Sequence, residues 1–175
     1  LEPDQRQPRD QRVAGPGIVG AVDAQGLRDL DRLGRSGGGD ADPRAQERAV
    51  AEIQKDMREP KAMNRLLQGD VGSGKTVVAL YAMLAAVANH RQAALMAPTE
   101  ILATQHFETI GRYLAGSRVR TELLVGGVSG RERKERIERI AAGEADIIVG
   151  THALVQGGVE FKDLALVVVD EQHKF

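Results

Sequence analysis

The stretch MNRLLQGDVGSGKTVVALYAMLAAVA, Met63 to Ala88, decides the fold. Its middle, Gly69 to Thr76, fits the pattern G-x-x-x-x-G-K-[ST], in which glycines let the backbone curl until successive N–H groups point at phosphate oxygens. Arg65 to Gln68 reads as a short strand leading into the bend, and the run VVALYAMLAAVA, apolar on every side, reads as a buried helix leaving it. That context separates a phosphate-binding loop from a glycine-rich surface turn, because the following helix contributes the positive end of its dipole. Gly69, Gly72, Ser73 and Gly74 would line the bend. The Lys75 ammonium would neutralise β- and γ-phosphates, and the Thr76 hydroxyl would ligate Mg²⁺, a hard cation that prefers oxygen. Gly72 and Gly74 should tolerate no side chain.

On either side of this unit, helical and extended patterns alternate. Upstream, Val50, Ile53 and Met57 recur at helical spacing in AQERAVAEIQKDM and Pro60 closes the segment. Downstream, Ala93 to Ala97 reads as a strand. A helix follows from about Thr99 to Leu114, with Ala103, Phe107, Ile110 and Leu114 on one face. Arg120 to Val125 is strand-like, RERKERIERIAAG is a charged helix with Ile137 and Ile140 inward and Gly143 as its stop, and Ile147 to Val149 is another strand. The final run LALVVV, Leu164 to Val169, is continuously apolar and β-branched, as a strand buried on both faces would be. Such alternation implies right-handed crossovers and an α/β fold, an open, mostly parallel sheet with helices on both faces.

A second acidic signal falls where such a sheet binds ligands. Asp170-Glu171 comes directly after the last strand, at the carboxyl end of the sheet. Asp170 would hold Mg²⁺, and Glu171 would orient and deprotonate a water attacking the γ-phosphate. Further polar residues succeed other strands: Pro98-Thr99-Glu100, Gly126-Gly127, Gly150-Thr151-His152 and Gln172-His173. Amides at such turns can bind nucleic-acid phosphates without a basic surplus. Thr99 reads equally as a helix N-cap.

Composition narrows the classes. With 24 basic and 25 acidic side chains in 175 residues, the chain is no polycation, and nucleic-acid contact would have to be local. No cysteine is present, so disulfides and thiolate zinc sites are excluded; the four histidines lack the i, i+4 pairing of a helical zinc motif. The longest apolar run, Val77 to Ala88, is shorter than the roughly 18 residues a membrane span requires. Residues 1–44 hold four of the six prolines and eight glycines and read as a linker or disordered tail. The charge run Arg131 to Arg139 reads as a solvated helix face.

The segments MNRLLQGDVGSGKT, MAPTEILATQH, GTHAL, FKDL and LVVVDEQHKF together resemble the first motor domain of the superfamily-2 helicases, and among them the RecG-type ATP-dependent DNA helicases. The resemblance spans about Ala45 to Phe175. The phosphate loop is shared by many ATPases, whereas DEQH together with APTEILA is much narrower. The related transcription-repair coupling factors usually have Glu where this chain has Gln172. The resemblance implies a partial RecA-like P-loop domain over 45–175 that uses ATP and Mg²⁺, remodels branched DNA, and works with a second motor domain and a wedge domain of the parent chain. It also implies a bacterial cytoplasmic, nucleoid-associated location. Under it, Gly69 to Thr76 is motif I, Thr99 belongs to motif Ia, Thr151 to motif Ib, and Asp170 to His173 form motif II. Gln46 stands in the place of the adenine-reading glutamine, while Gln172 and His173 couple nucleotide state to DNA-gripping loops. The family's aromatic and Thr ahead of that glutamine are replaced here by DADPR. As a fragment without the second motor domain, the chain is expected to bind nucleotide weakly, hydrolyse little and unwind nothing; the alternatives are a coupling-factor-like translocase and a non-enzymatic nucleotide-binding module.

Overall fold

The computed structural model describes residues 43–70, 72–156 and 158–170. The helices are α1 (Pro43–Met57), α2 (Lys75–Ala88), α3 (Glu100–Tyr113) and α4 (Gly130–Ala142), and the strands β1 (Gln92–Met96), β2 (Thr121–Leu124), β3 (Ile147–Gly150) and β4 (Leu164–Val169). A short 3₁₀ turn, His152–Leu154, succeeds β3. The sheet order is β2-β3-β1-β4, every pairing parallel. The tail expected over 1–44 lies outside the described residues except for its last two: Pro43 and Arg44 form the first turn of α1, where a fixed φ suits proline and its missing N–H costs nothing.

Helices cover both faces because the chain reverses its direction of travel. α3 leads outward from β1 to β2, and α4 leads back from β2 to β3, so right-handed crossovers place the two on opposite faces. One core joins α1, α2 and the inner residues of α3 to Ala93, Leu95, Ile147 and Val149. A smaller one joins Ile140 of α4 to Ala94, Leu124, Ile148, Ala153 and Leu154. Gly143 ends α4 at φ 74°, as its position after the last inward isoleucine requires. The basic run on α4 is mainly a solvated face with i, i+4 pairs such as Arg131 with Glu135, although Arg139 also bonds Glu122 of β2 at 2.9 Å.

Two expectations fail at the same side of the sheet. Arg65 to Gln68 is not a strand: it carries no regular secondary structure and pairs with no strand. Arg65 turns back instead to α1, bonding Asp56 at 2.8 Å and Glu52 at 2.5 Å, while Leu66 is 69% exposed. β4 is accordingly an edge strand among the described residues, not one buried on both faces; Val167 is 51% and Val169 38% exposed. The physical reason is coverage. α2 packs on β4 from one face, where Leu166 and Val168 join the core, but α4 on the other face lies over β2 and does not extend to Val167 and Val169.

The amino edge of the sheet is held by two polar clusters. Gln92, 4% exposed, donates to the carbonyls of Ile140 and Ala145, both at 2.9 Å, and accepts from the Asp163 amide at 3.2 Å. One side chain thus ties α4, the approach to β3 and the approach to β4. Nearby, Asp146 receives the Arg120 amide at 2.8 Å and its guanidinium at 2.9 and 3.1 Å. Burial pushes the Asp146 carboxyl up, but these bonds outweigh it and hold the group below its ordinary value.

Gln92→Ala would leave two carbonyls and an amide without their partner, so we expect a loss of about 1–3 kcal/mol in urea unfolding. Because Asp146 is depressed in the folded chain, its contribution is present above the unfolded carboxyl value of about 3.9 and is lost as pH falls through the lower folded value. Scans of Tm from pH 7 to 3 should therefore fall more steeply for the parent chain than for Asp146→Asn, which has no such charge to lose.

Candidate nucleotide and nucleic-acid site

Parallel register brings the ends of all four strands to one rim. Met96 pairs with Gly150 and Val169, and Gly150 with Leu124, so these four residues form a row. The ladder runs one step further, where the Asp170 amide donates to the Met96 carbonyl at 2.9 Å and the Ala97 amide to that of Gly150 at 2.8 Å. The segment leaving each strand hangs from this rim and carries a candidate residue: Thr99 after β1, Gly126 and Gly127 after β2, Thr151 after β3 and Asp170 after β4.

α2 returns the phosphate-loop pattern to the same rim. Only Asn89 to Arg91 separate α2 from β1, so the helix runs back along the strand, and its first residue, Lys75, lies at the carboxyl end. Gly72 and Gly74 have φ 85° and 84°, the left-handed region that glycine enters without steric cost. Gly74 is the N-cap of α2 and no side chain caps the helix; the Val77 amide bonds the Gly74 carbonyl at 3.0 Å, which leaves those of Lys75 and Thr76 for an anion. The bend is also close-packed. A Cβ on Gly74 would collide with the Gln46 amide, and one on Gly69 would stand 2.6 Å from Ser73 Oγ.

Around this bend, Lys75 Nζ donates to the Gly69 and Asp70 carbonyls, both at 2.7 Å, and draws the ends of the loop together. Thr76 is the second residue of α2 and half-buried. Gln46 Nε2 donates to the Ser73 carbonyl at 3.0 Å, so this glutamine binds the loop itself and ties α1 to it. These features fit a magnesium-bound triphosphate: amides and an ammonium for phosphate, and a hydroxyl and a carboxylate as hard oxygen donors on one rim.

The remaining positions are engaged locally. Thr99 is the N-cap of α3, its hydroxyl accepting from the Leu102 amide at 3.2 Å, and Thr151 accepts from the Ala153 amide at 3.4 Å. Glu100 Oε1 accepts from the Gly126 amide at 2.9 Å and so joins α3 to the glycine turn. Glu171, Gln172 and His173 lie outside the described residues. Sequence motifs do not single out one residue of the site, His106, whose Nε2 lies 2.8 Å from Asp170 Oδ2. The signal that could have found it is its spacing: three residues after Ala103 and four before Ile110, both fully buried, His106 falls on the inward stripe of α3.

The profile of DEAD/DEAH box helicases matches residues 43–175. The chain belongs to that family. Among DEAD/DEAH box helicase relatives, it is 56% identical over 131 residues to the ATP-dependent DNA helicase RecG of Bacillus subtilis, covering 75% of this chain and 19% of that protein. It is 50% identical over 131 residues to the RecG of Escherichia coli strain K12, again over 75% of this chain and 19% of the relative. The chain thus spans about a fifth of the length of these relatives. A solved structure of RecG bound to a three-way DNA junction superposes with a TM-score of 0.78 at 40% identity, over 91% of this chain and 21% of that one. A hypothetical ATP-dependent RNA helicase from Sulfolobus tokodaii, at 20% identity and a TM-score of 0.58, covers 83% of this chain and 41% of its own and shares the fold.

Gly74→Ala would meet both the left-handed φ and the Gln46 amide. With a cost of about 1–2 kcal/mol from the backbone alone, titration with a fluorescent ATP analogue should show at least tenfold weaker binding while helix content is kept.

Proposed function

We propose that this chain is the nucleotide-binding part of an ATP-driven DNA motor that remodels branched DNA. The observation that supports it is the convergence on one rim of the open N-terminus of α2, with Lys75, and the Asp170 carboxylate at the end of β4. Gly69, Gly72, Ser73 and Gly74 would hold the phosphates through backbone amides. Lys75 would exchange its two carbonyl partners for β- and γ-phosphate oxygens. Thr76 and Asp170 would hold Mg²⁺, which supplies the positive charge that offsets charge on the transferring phosphoryl group. Glu171 would orient the attacking water and take its proton. Gln46 would bring α1, and with it any contact to the base, up to the loop.

DNA is the partner this reading assigns to the loops of the rim. Thr99, Gly127 and Thr151 would meet backbone phosphates, and the Gly126 amide would do so once Glu100 turns aside, since carboxylate and phosphate compete for one donor. The relative solved with a three-way junction supports a branched substrate. Gln172 and His173 would pass the nucleotide state to these loops and to a second motor domain, with a wedge domain engaging the branch point. Such a motor would act on the chromosome, in the nucleoid; among the described residues no helix is long and apolar enough to cross a membrane.

In a chain carrying both motor domains, Lys75→Ala should reduce DNA-stimulated ATP turnover by at least about a hundredfold, a loss of roughly 2.7 kcal/mol in transition-state stabilisation. Turnover equal to that of the parent would remove Lys75 from the site.

A further inference from the structure

We propose that His106 is a positioning residue for the metal-holding carboxylate Asp170, and that α3 is thereby a mechanical link between the metal site and the loops assigned to DNA. The proposal rests on the nucleotide-site reading above and adds a residue to it. Asp170 sits one residue beyond β4, where its amide is fixed by the Met96 carbonyl but its side chain is still free to rotate. His106 supplies the missing restraint, since Nε2–H donates to Oδ2 at 2.8 Å. The imidazole is well shielded, with a side-chain exposure of 18% against 35% for Asp170, so it is held by packing on the inner side of α3 rather than by solvent. A carboxylate has two oxygens and about four lone-pair sites, so a donor on Oδ2 leaves Oδ1 to a cation or its water shell.

The same helix is anchored at its N-terminus to the rim loops. Thr99 caps it, and Glu100 in its first turn holds the Gly126 amide at 2.9 Å. His106 lies six residues on from Glu100, about 9 Å along a rigid rod at 1.5 Å per residue. Release of Glu100 from the Gly126 amide, which a phosphate bound there requires, would therefore free the start of α3 and with it His106 and the orientation of Asp170.

The test uses Mn²⁺, a paramagnetic substitute for Mg²⁺, titrated by electron paramagnetic resonance into this chain with and without ATP. Binding of the fluorescent ATP analogue in EDTA is measured alongside, and circular dichroism checks the fold. His106→Ala should weaken Mn²⁺ affinity in the presence of ATP by about tenfold, within the range found when a ligand's outer partner is removed. Metal-free nucleotide affinity should change by less than about twofold, the limit that separates this effect from loss of the fold. His106→Gln, whose Nε2 amide can replace the lost donor, should recover most of the Mn²⁺ affinity. Equal Mn²⁺ affinity in the parent and His106→Ala would overturn the role of His106 while leaving the nucleotide site intact. So would a parallel loss of metal-free nucleotide binding, or no recovery in His106→Gln. Failure of the parent to bind Mn²⁺ with ATP would overturn both the role and the reading beneath it.

Discussion

The backbone hydrogen bond from the Asp170 amide to the Met96 carbonyl sets the geometry of the site. It extends the β1–β4 ladder one residue past the strand, so the position of the Asp170 backbone derives from sheet register and not from a loop. The same register aligns Leu124, Gly150 and Val169 with Met96, and every turn that leaves the carboxyl rim inherits that alignment. Parallel sheets concentrate function in this way because all their strands end on one side, where helix N-termini also arrive.

The polar clusters at the opposite rim serve a different need. Gln92, at the start of β1, satisfies a backbone group on α4, one on the approach to β3 and one on the approach to β4 with a single buried amide. A fully satisfied polar residue in such a place fixes which segments meet, whereas an apolar residue would leave them interchangeable. With the amino rim fixed, the distance from Gln92 to Met96 is set by strand geometry, and a polar contact far from the phosphate loop contributes to its placement.

Much of this was legible in the sequence because periodicity reports burial. α3 and α4 carry their inward residues where the pattern placed them, and the Gly143 stop rests on one left-handed residue. Strand pairing was less accessible. Arg65 to Gln68 and Leu164 to Val169 both read as short apolar-leaning strands, and such runs read alike whether or not a neighbour takes up their hydrogen bonds; coverage by α4 and the pull of Asp56 and Glu52 on Arg65 are tertiary facts. In the candidate site, the glycine bend was legible because Gly72 and Gly74 stand in the left-handed backbone that glycine alone enters freely. His106 was not, because its partner lies 64 positions away and neither residue type by itself signals the pairing. Glu100 on Gly126, 26 positions apart, escaped for the same reason.

The outer side of β4 carries one more implication. Val167 and Val169 stand beside a row of backbone donors and acceptors that no described strand engages, with Leu66 also bare. Natural sheets blunt such borders with lysine, proline or a bulge; LALVVV holds no lysine or proline, and its one irregularity is at the start, where Gln92 pairs with Leu164 but Ala93 with Leu166. Beyond that irregularity the backbone groups of Leu166 to Val169 are open, among the described residues, to a further strand, and the exposed valines would add apolar surface to such a pairing.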